Sequence, residues 1–304
     1  MSSESLLVWL KAARLRTLPL AISSIAMGGF LATAEKRFNW SVFLLAVITT
    51  LLLQILSNLA NDYGDSVHGA DSPQRIGPQR MVQRGAISRQ SMKRAMIVLA
   101  IASLISGSLL IAAAFGSLKG AFPLVFFLLG IAAIAAAIKY TAGRNPYGYR
   151  GLGDLFVFLF FGIIGVAGSY FLLTGTLHGY ILLPAASVGL LTTGVLNVNN
   201  MRDMHTDRQC GKITIPVRLG PVYAKYYHLG LIMLAWAASL LFTSLTFRSP
   251  VQLLYFVSAP LFGLHLVKVF QIRHAALLDG QLKMLVAATL LYCLTFGAGY
   301  VLAA

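Results

Sequence analysis

The chain of 304 residues is 58% hydrophobic and only 11% charged, whereas about a quarter of the residues in soluble domains are charged. Its 24 basic and 9 acidic residues give a net charge of +15, and they are too few to clothe a water-facing surface around a fold of this size. A soluble globule is excluded, and so is a disulfide or structural zinc framework, because Cys210 and Cys293 lie far apart with no cysteine or histidine cluster beside either.

Nine apolar runs predict membrane spans at about 15–35, 40–61, 95–116, 121–140, 154–175, 180–201, 227–247, 251–270 and 284–303, each near the length needed to cross. Backbone groups in lipid must be satisfied within the segment, so each span is expected to be helical. Strings such as AVITTLLLQIL and IAAIAAAI lack the period of two that a membrane barrel needs. The expected architecture is therefore all-α: a polytopic nine-helix bundle forming one integral membrane domain over residues 1–304. All basic residues except Lys36, Arg37, Lys119 and Arg248 fall on one side of this arrangement. That asymmetry places the N-terminus in the cytoplasm and the C-terminus outside, with cytoplasmic loops at about 62–94, 139–153 and 202–226. The net charge reads as topology and affinity for anionic headgroups, not as nucleic-acid binding.

The first run opens with ARLRTLPLA, where Arg14, Thr17 and Pro19 read as a snorkelling anchor and helix start. The second ends in SNLANDYGDSVHGAD, which sets Asp62, Asp65 and Asp71 within ten positions. Gln54, Asn58, Asn61 or Asp62, and Asp65 recur at three- and four-residue steps, so they share a helix face. An ionised Asp costs about 2.5–3.5 kcal/mol at the centre of a span, so such residues face a cavity or a partner.

Between the fourth and fifth runs, KYTAGRNPYGYRGLGD gathers Tyr140, Tyr147 and Tyr149 ahead of Asp154. The tyrosines read either as interfacial anchors or as site residues whose hydroxyls bond phosphate and whose rings face a cation. Asp154 reads as a helix cap or as a base toward an acidic substrate. The sixth run closes with NVNNMRDMHTDRQCGKITIPVRLG, in which Asn197, Asn200, Asp203 and Asp207 repeat the stepping seen at the second.

Two acidic clusters thus end two distant spans on one membrane face. Carboxylate and amide oxygens are hard ligands suited to Mg2+, which takes one or two carboxylates and completes its shell with water and phosphate oxygens. Facing clusters of this kind predict magnesium ions clamping a diphosphate. Arg80 follows the first cluster, Arg144 lies between the two, and Lys212 follows the second as a mobile point charge for phosphate.

At NDYGD (61–65) and DMHTD (203–207) the sequence resembles the UbiA superfamily of intramembrane aromatic prenyltransferases, and the likeness in span number, side and spacing covers nearly the whole chain. NLANDYGDSVHGAD, RIGPQR, YTAGRNPYGYRGLGD and the stretch at 197–220 are most similar to the branch acting on 1,4-dihydroxy-2-naphthoate in menaquinone synthesis. The resemblance implies a nine-helix bundle of the UbiA type with a central cavity open to the cytoplasmic side and to lipid, in a bacterial inner membrane. It implies Asn61, Asp62, Asp65, Asp203 and Asp207 as magnesium ligands, with Asp71 carried over as a further one, although many members have their third aspartate at the position of Gly69. Tyr140 would stabilise an allylic cation, with Asp154 beside it, and Asn58, Asn61, Arg80, Arg144, Tyr147, Asn200 and Lys212 would bind substrate. The implied partners are polyprenyl diphosphate, dihydroxynaphthoate and the lipid bilayer, with no nucleic acid and no obligate protein partner. Other acceptors, such as 4-hydroxybenzoate, homogentisate or a haem vinyl group, remain open, as does a secondary transporter coupled through its acids.

Overall fold

The computed structural model describes residues 3–69, 77 and 80–304. Among the described residues there is no strand, and nine helices are long and apolar enough to cross a membrane. These are α1 (Leu6–Ala34), α2 (Trp40–Val67), α3 (Arg89–Phe115), α4 (Ala121–Lys139), α5 (Gly153–Thr174), α6 (Gly179–Arg202), α7 (Ile215–Leu245), α8 (Pro250–Gln271) and α9 (Ala275–Leu302). Each coincides with one of the nine predicted runs.

Local chemistry explains where the helices start and stop. The side chains of Asn39 and Ser88 accept from Val42 N at 3.2 Å and Ser91 N at 3.1 Å, capping α2 and α3. Gly116 and Gly175 end α3 and α5 in the left-handed conformation that costs glycine least. Several helices outrun their apolar cores, α7 most of all. It begins at Ile215 instead of near 227, because hydropathy marks only the lipid-embedded part, whereas the turns of Ile215–Tyr226 carry Arg218 and Lys225. Gly220, at φ 77° and ψ 172°, kinks α7 just before Pro221.

Small residues bring α5 and α6 together. A Cβ on Gly162 would sit 2.6 Å from the Ala185 carbonyl oxygen and 2.7 Å from the Gly189 Cα, so only glycine permits this approach. In the most apolar stretch of α6, 72% is buried, against 6% in α4. The main core joins α1 and α5–α9, and a second, smaller one joins the start of α1 to α2–α4. Between them lies a cavity of about 360 Å³ walled chiefly by α1–α6.

Candidate active site

The cavity is polar at one end and apolar over most of its depth. Asn58, Asn61, Asp65, Arg80, Tyr140, Thr141, Tyr147, Asn199 and Lys212 line the polar end, while Ala46, Leu110, Phe126, Leu129 and Leu172 line it deep in the bundle.

The last turns of α2 build one side. Asn58, Asn61 and Asp65 lie three, four and seven residues apart and therefore share the face turned to the cavity. Asp65 is buried, forms an ion pair with Arg80, and accepts from the Tyr149 hydroxyl at 2.7 Å. Arg80 also donates to the Asn61 carbonyl. Gly64 lets the 139–153 loop lie directly on α2, since a Cβ there would come within 2.5 Å of the Thr141 backbone. The Thr141 hydroxyl donates to Ala60 O at 2.9 Å or to Asn61 Oδ1 at 3.0 Å.

Asp62 sits on a neighbouring face. Its two carboxylate oxygens accept from the backbone amides of Met81 and Val82 at 2.9 and 3.1 Å, so it braces the segment that presents Arg80. Asn58 likewise spends its amide donors on Ala13 O at 2.8 Å and Thr17 Oγ1 at 3.1 Å. Asp71 lies outside the described residues.

The end of α6 and the short helix Met204–Gln209 build the facing side. Asp203 is gripped at both oxygens by Arg202, through Nε at 2.8 Å and Nη2 at 2.9 Å. Arg202 is itself buried and also donates to Asn199 Oδ1 at 2.9 Å and to Asp279 Oδ1 at 2.8 Å. Asp207 is met by Lys212 Nζ at 3.4 Å. Asp203 and Asp207 thus reach the cavity through Asn199 and Lys212, which form its wall. Asn200 is buried but is not among the lining residues, and Arg144 is exposed on its loop.

Electrostatics tie the two sides together. Burial pushes the Asp207 carboxyl up, Lys212 opposes this, and the charges of Asp203 and Asp65 raise it further. Burial likewise raises the Tyr140 hydroxyl, with Asp154, Asp207 and Asp65 all adding to the shift. Acids from both helix ends therefore act on the same tyrosine. Tyr147 packs its ring on Phe156, with centroids 4.0 Å apart, and donates to Ala136 O at 2.9 Å. Asp154 accepts from the Tyr227 hydroxyl at 2.9 Å.

Among the described residues, no three acidic, histidine or cysteine side chains gather closely enough to hold an ion by themselves. Two hard acceptors suited to a magnesium shell completed by phosphate nevertheless lie at the α6 end: Asp207 Oδ2 and Asn200 Oδ1 are buried without a hydrogen-bond partner among the described residues. Such orphaned hard acceptors are costly unless a cation or water satisfies them, so the donor set fits Mg2+.

Sequence patterning alone passes over Asn199, Thr141 and Asp279. Asn199 carries a readable signal, because NNMRD repeats the Asn-x-x-x-Asp spacing of NDYGD. Asp279 carries none, since it meets Arg202 from a helix 77 positions away in sequence.

A helical bundle enclosing an amphiphilic cavity, with acids and paired cations from two helix ends at its polar mouth, defines an intramembrane enzyme for a substrate with a charged head and an apolar tail. Residues 21–286 match the UbiA prenyltransferase family, and the chain belongs to that family as an integral, multi-pass membrane protein. It is 42% identical over 98% of its length to 1,4-dihydroxy-2-naphthoate octaprenyltransferase of Haemophilus influenzae, covering 97% of that protein. It is 48% identical over 83% of its length to the enzyme of the same name from Escherichia coli K12, covering 82% of it. Among solved structures, a UbiA homolog from Aeropyrum pernix K1 shares the fold at a TM-score of 0.69 and 18% identity, over 95% of this chain and 98% of that one. A UbiA homolog from Archaeoglobus fulgidus bound to GPP and Mg2+ does so at 0.63 and 15%, over 96% and 99%.

Proposed function

We propose that the protein transfers a polyprenyl group from polyprenyl diphosphate to 1,4-dihydroxy-2-naphthoate, releasing diphosphate and carbon dioxide and giving demethylmenaquinol, the reduced form of demethylmenaquinone. The observation that carries this reading is the cavity itself: its polar mouth suits a diphosphate and its apolar depth suits a prenyl tail. The two naphthoate enzymes, similar over most of their length, support the choice of acceptor.

In this reading Asn61, Asp65, Asp203 and Asp207 hold Mg2+, with Asn200 as a further oxygen donor, while Asp62 keeps the Arg80 segment in place. Bound magnesium supplies neutralisation of the charge that develops on the leaving diphosphate. Before substrate arrives, Arg80, Arg202 and Lys212 balance Asp65, Asp203 and Asp207, which makes burial of these acids tolerable. Arg80 and Lys212 then stand beside the diphosphate as cationic donors. The raised Tyr140 hydroxyl stays protonated, so its ring stabilises an allylic cation without offering a phenolate to trap it. The apolar wall keeps water from the cation. The electron-rich naphthoate carbon attacks, and loss of the carboxyl group as carbon dioxide restores the aromatic ring. The basic face predicts a cytoplasmic mouth in a bacterial inner membrane, with the N-terminus inside.

Purified protein given dihydroxynaphthoate, a polyprenyl diphosphate and magnesium is expected to release carbon dioxide in step with prenylated product. Turnover of 4-hydroxybenzoate in place of the naphthoate would reassign the acceptor.

A further inference from the structure

The side chain of Arg202 is only 1% exposed, so its charge cannot be passed to water. It meets two carboxylates at once. Nε and Nη2 donate to the two oxygens of Asp203 at 2.8 and 2.9 Å, and Nη1 donates to Asp279 Oδ1 at 2.8 Å. A further contact, from Nη2 to Asn199 Oδ1 at 2.9 Å, is to a neutral group. Asp279 arrives from α9, the last span, where it lies in the first turn of the α-helical piece Leu278–Leu302. The positive end of that helix favours its ionised form.

One buried arginine needs one counter-ion. Asp203 meets that need with both of its oxygens, so neutralising Arg202 does not by itself explain a second carboxylate brought from another span. The second becomes necessary where the first is also claimed by a cation, because an arginine buried beside an aspartate whose charge is taken elsewhere is costly. Asp203 is such a residue, being one of the proposed magnesium ligands. Its surroundings keep the arginine close: a Cβ on Gly77 would come within 2.6 Å of Arg202 Nη2 and 3.3 Å of Asp203 Oδ1, so the segment after the first acid cluster lies against the pair. Asp279 meets two further cations at longer range, Arg16 at 3.4 Å and Lys283 at 3.7 Å. Arg202 is its shortest partner, and that contact is in place before Asp203 is engaged.

We propose that Asp279 is a positioning residue for the metal site: it holds the charge of Arg202 while Asp203 gives its oxygens to magnesium. This rests on the prenyl-transfer reading above and its magnesium ligands. With Asp279 in place, Arg202 is shared between two anions and Asp203 keeps negative charge for the cation. Without it, Arg202 falls wholly to Asp203 and competes with magnesium for the same oxygens.

Magnesium binding by the purified protein tests this without turnover, read as the rise of its thermal midpoint when Mg2+ is titrated in the presence of pyrophosphate. Partners that orient a metal ligand are worth about 10 to 100 fold in metal affinity. Asp279→Asn is therefore expected to need about tenfold more Mg2+ or beyond for half of the effect, and Asp279→Glu, which keeps the charge, to need less than the asparagine variant. Prenyl transfer by Asp279→Asn should be slow at low magnesium and recover toward the wild-type rate as magnesium is raised, whereas a purely structural loss would depress the rate at every concentration. Asp279→Ser carries the same test if the asparagine variant does not purify. Lys283→Gln separates contact from field, because Lys283 is 66% exposed beside Asp279 and its loss offsets the charge removed there. The double variant Asp279→Asn/Lys283→Gln should keep the weak magnesium response, and keep it at high salt, which screens a surface field far more than a buried contact. The inference is overturned if Asp279→Asn responds to Mg2+ as the wild type does, if its rate loss persists at saturating magnesium, or if the double variant regains the wild-type response. A wild-type protein whose midpoint ignores Mg2+ and pyrophosphate overturns the metal assignment of the proposed function, and this role of Asp279 with it.

Discussion

The two halves of the bundle use their polar residues in opposite ways. In the interior of α6–α9, several buried polar groups bond one another across helices. Ser187, Ser239 and Tyr292 form a triangle of contacts at 2.9, 2.9 and 2.5 Å, and His228 meets His265 at 2.8 Å, with Gln281 beyond it at 3.2 Å. Around α2–α4, polar groups converge on the cavity, and the acids there are held by cations that a substrate can engage. α4 illustrates the contrast: among its residues only Pro123 and Ala136 are buried, and Phe126, Leu129, Gly130 and Ala133 line the cavity. Lipid gives helices no hydrophobic reason to associate, so packing and internal hydrogen bonds must set the frame. Here one half of the protein supplies that frame and the other remains open to a long apolar substrate.

Substitutions that change function in one half and stability in the other sharpen this contrast. The largest effect on turnover is expected at Asp65, which receives Arg80 and Tyr149 and faces the cavity. Asp65→Asn keeps the shape and removes the charge. It should lower transfer of labelled prenyl diphosphate by about 10² to 10³ fold, the scale for losing one electrostatic stabiliser of a leaving group, while the protein still purifies folded. Near wild-type turnover would show that the α2 end does not carry the diphosphate chemistry.

A smaller, chain-length-dependent effect is expected at Gly130. Gly130 lines the cavity and a Cβ there would meet nothing within 4 Å, so Gly130→Phe is expected to place a ring in the apolar depth. The variant should process a long polyprenyl diphosphate about tenfold less efficiently, because a few lost methylene contacts are worth factors of this order, and should process geranyl diphosphate nearly as well as the wild type. Equal losses on both substrates would place the tail elsewhere.

The sequence made the frame legible and part of the site. Nine spans emerge from hydropathy because lipid demands long apolar helices, and the ends that run past the apolar core, such as Ile215–Tyr226, are the parts lipid does not select. The face of Asn61 and Asp65 follows from helical spacing. The same spacing leaves Asn61 and Asp62 as rivals for that face, and tertiary contact separates them: the amides of Met81 and Val82 draw Asp62 aside. Arg202 illustrates the limit. Composition presents it as one more positive-inside residue, yet in the fold it binds Asp203, Asn199 and Asp279 together. No local pattern encodes a partner that arrives from the last span.

The finest test removes one hydroxyl from each half. Tyr292 is wholly buried and bonds Ser187 and Ser239, so Tyr292→Phe keeps the ring packing and leaves the two serines, 2.9 Å apart, bonded to each other. Its cost should match the modest value of interhelical hydrogen bonds in membranes, about 0.6 to 1.7 kcal/mol, read as a lower thermal midpoint with turnover unchanged. Tyr149→Phe deletes the hydroxyl that donates to Asp65 at 2.7 Å, beside a cavity that must rearrange around its ligand. The same chemical change there should move turnover and magnesium dependence while leaving the midpoint nearly where it was. If the two variants exchanged signatures, with Tyr292→Phe slowing transfer and Tyr149→Phe unfolding early, the division of the bundle into a sealed frame and an open reactive half would be reversed.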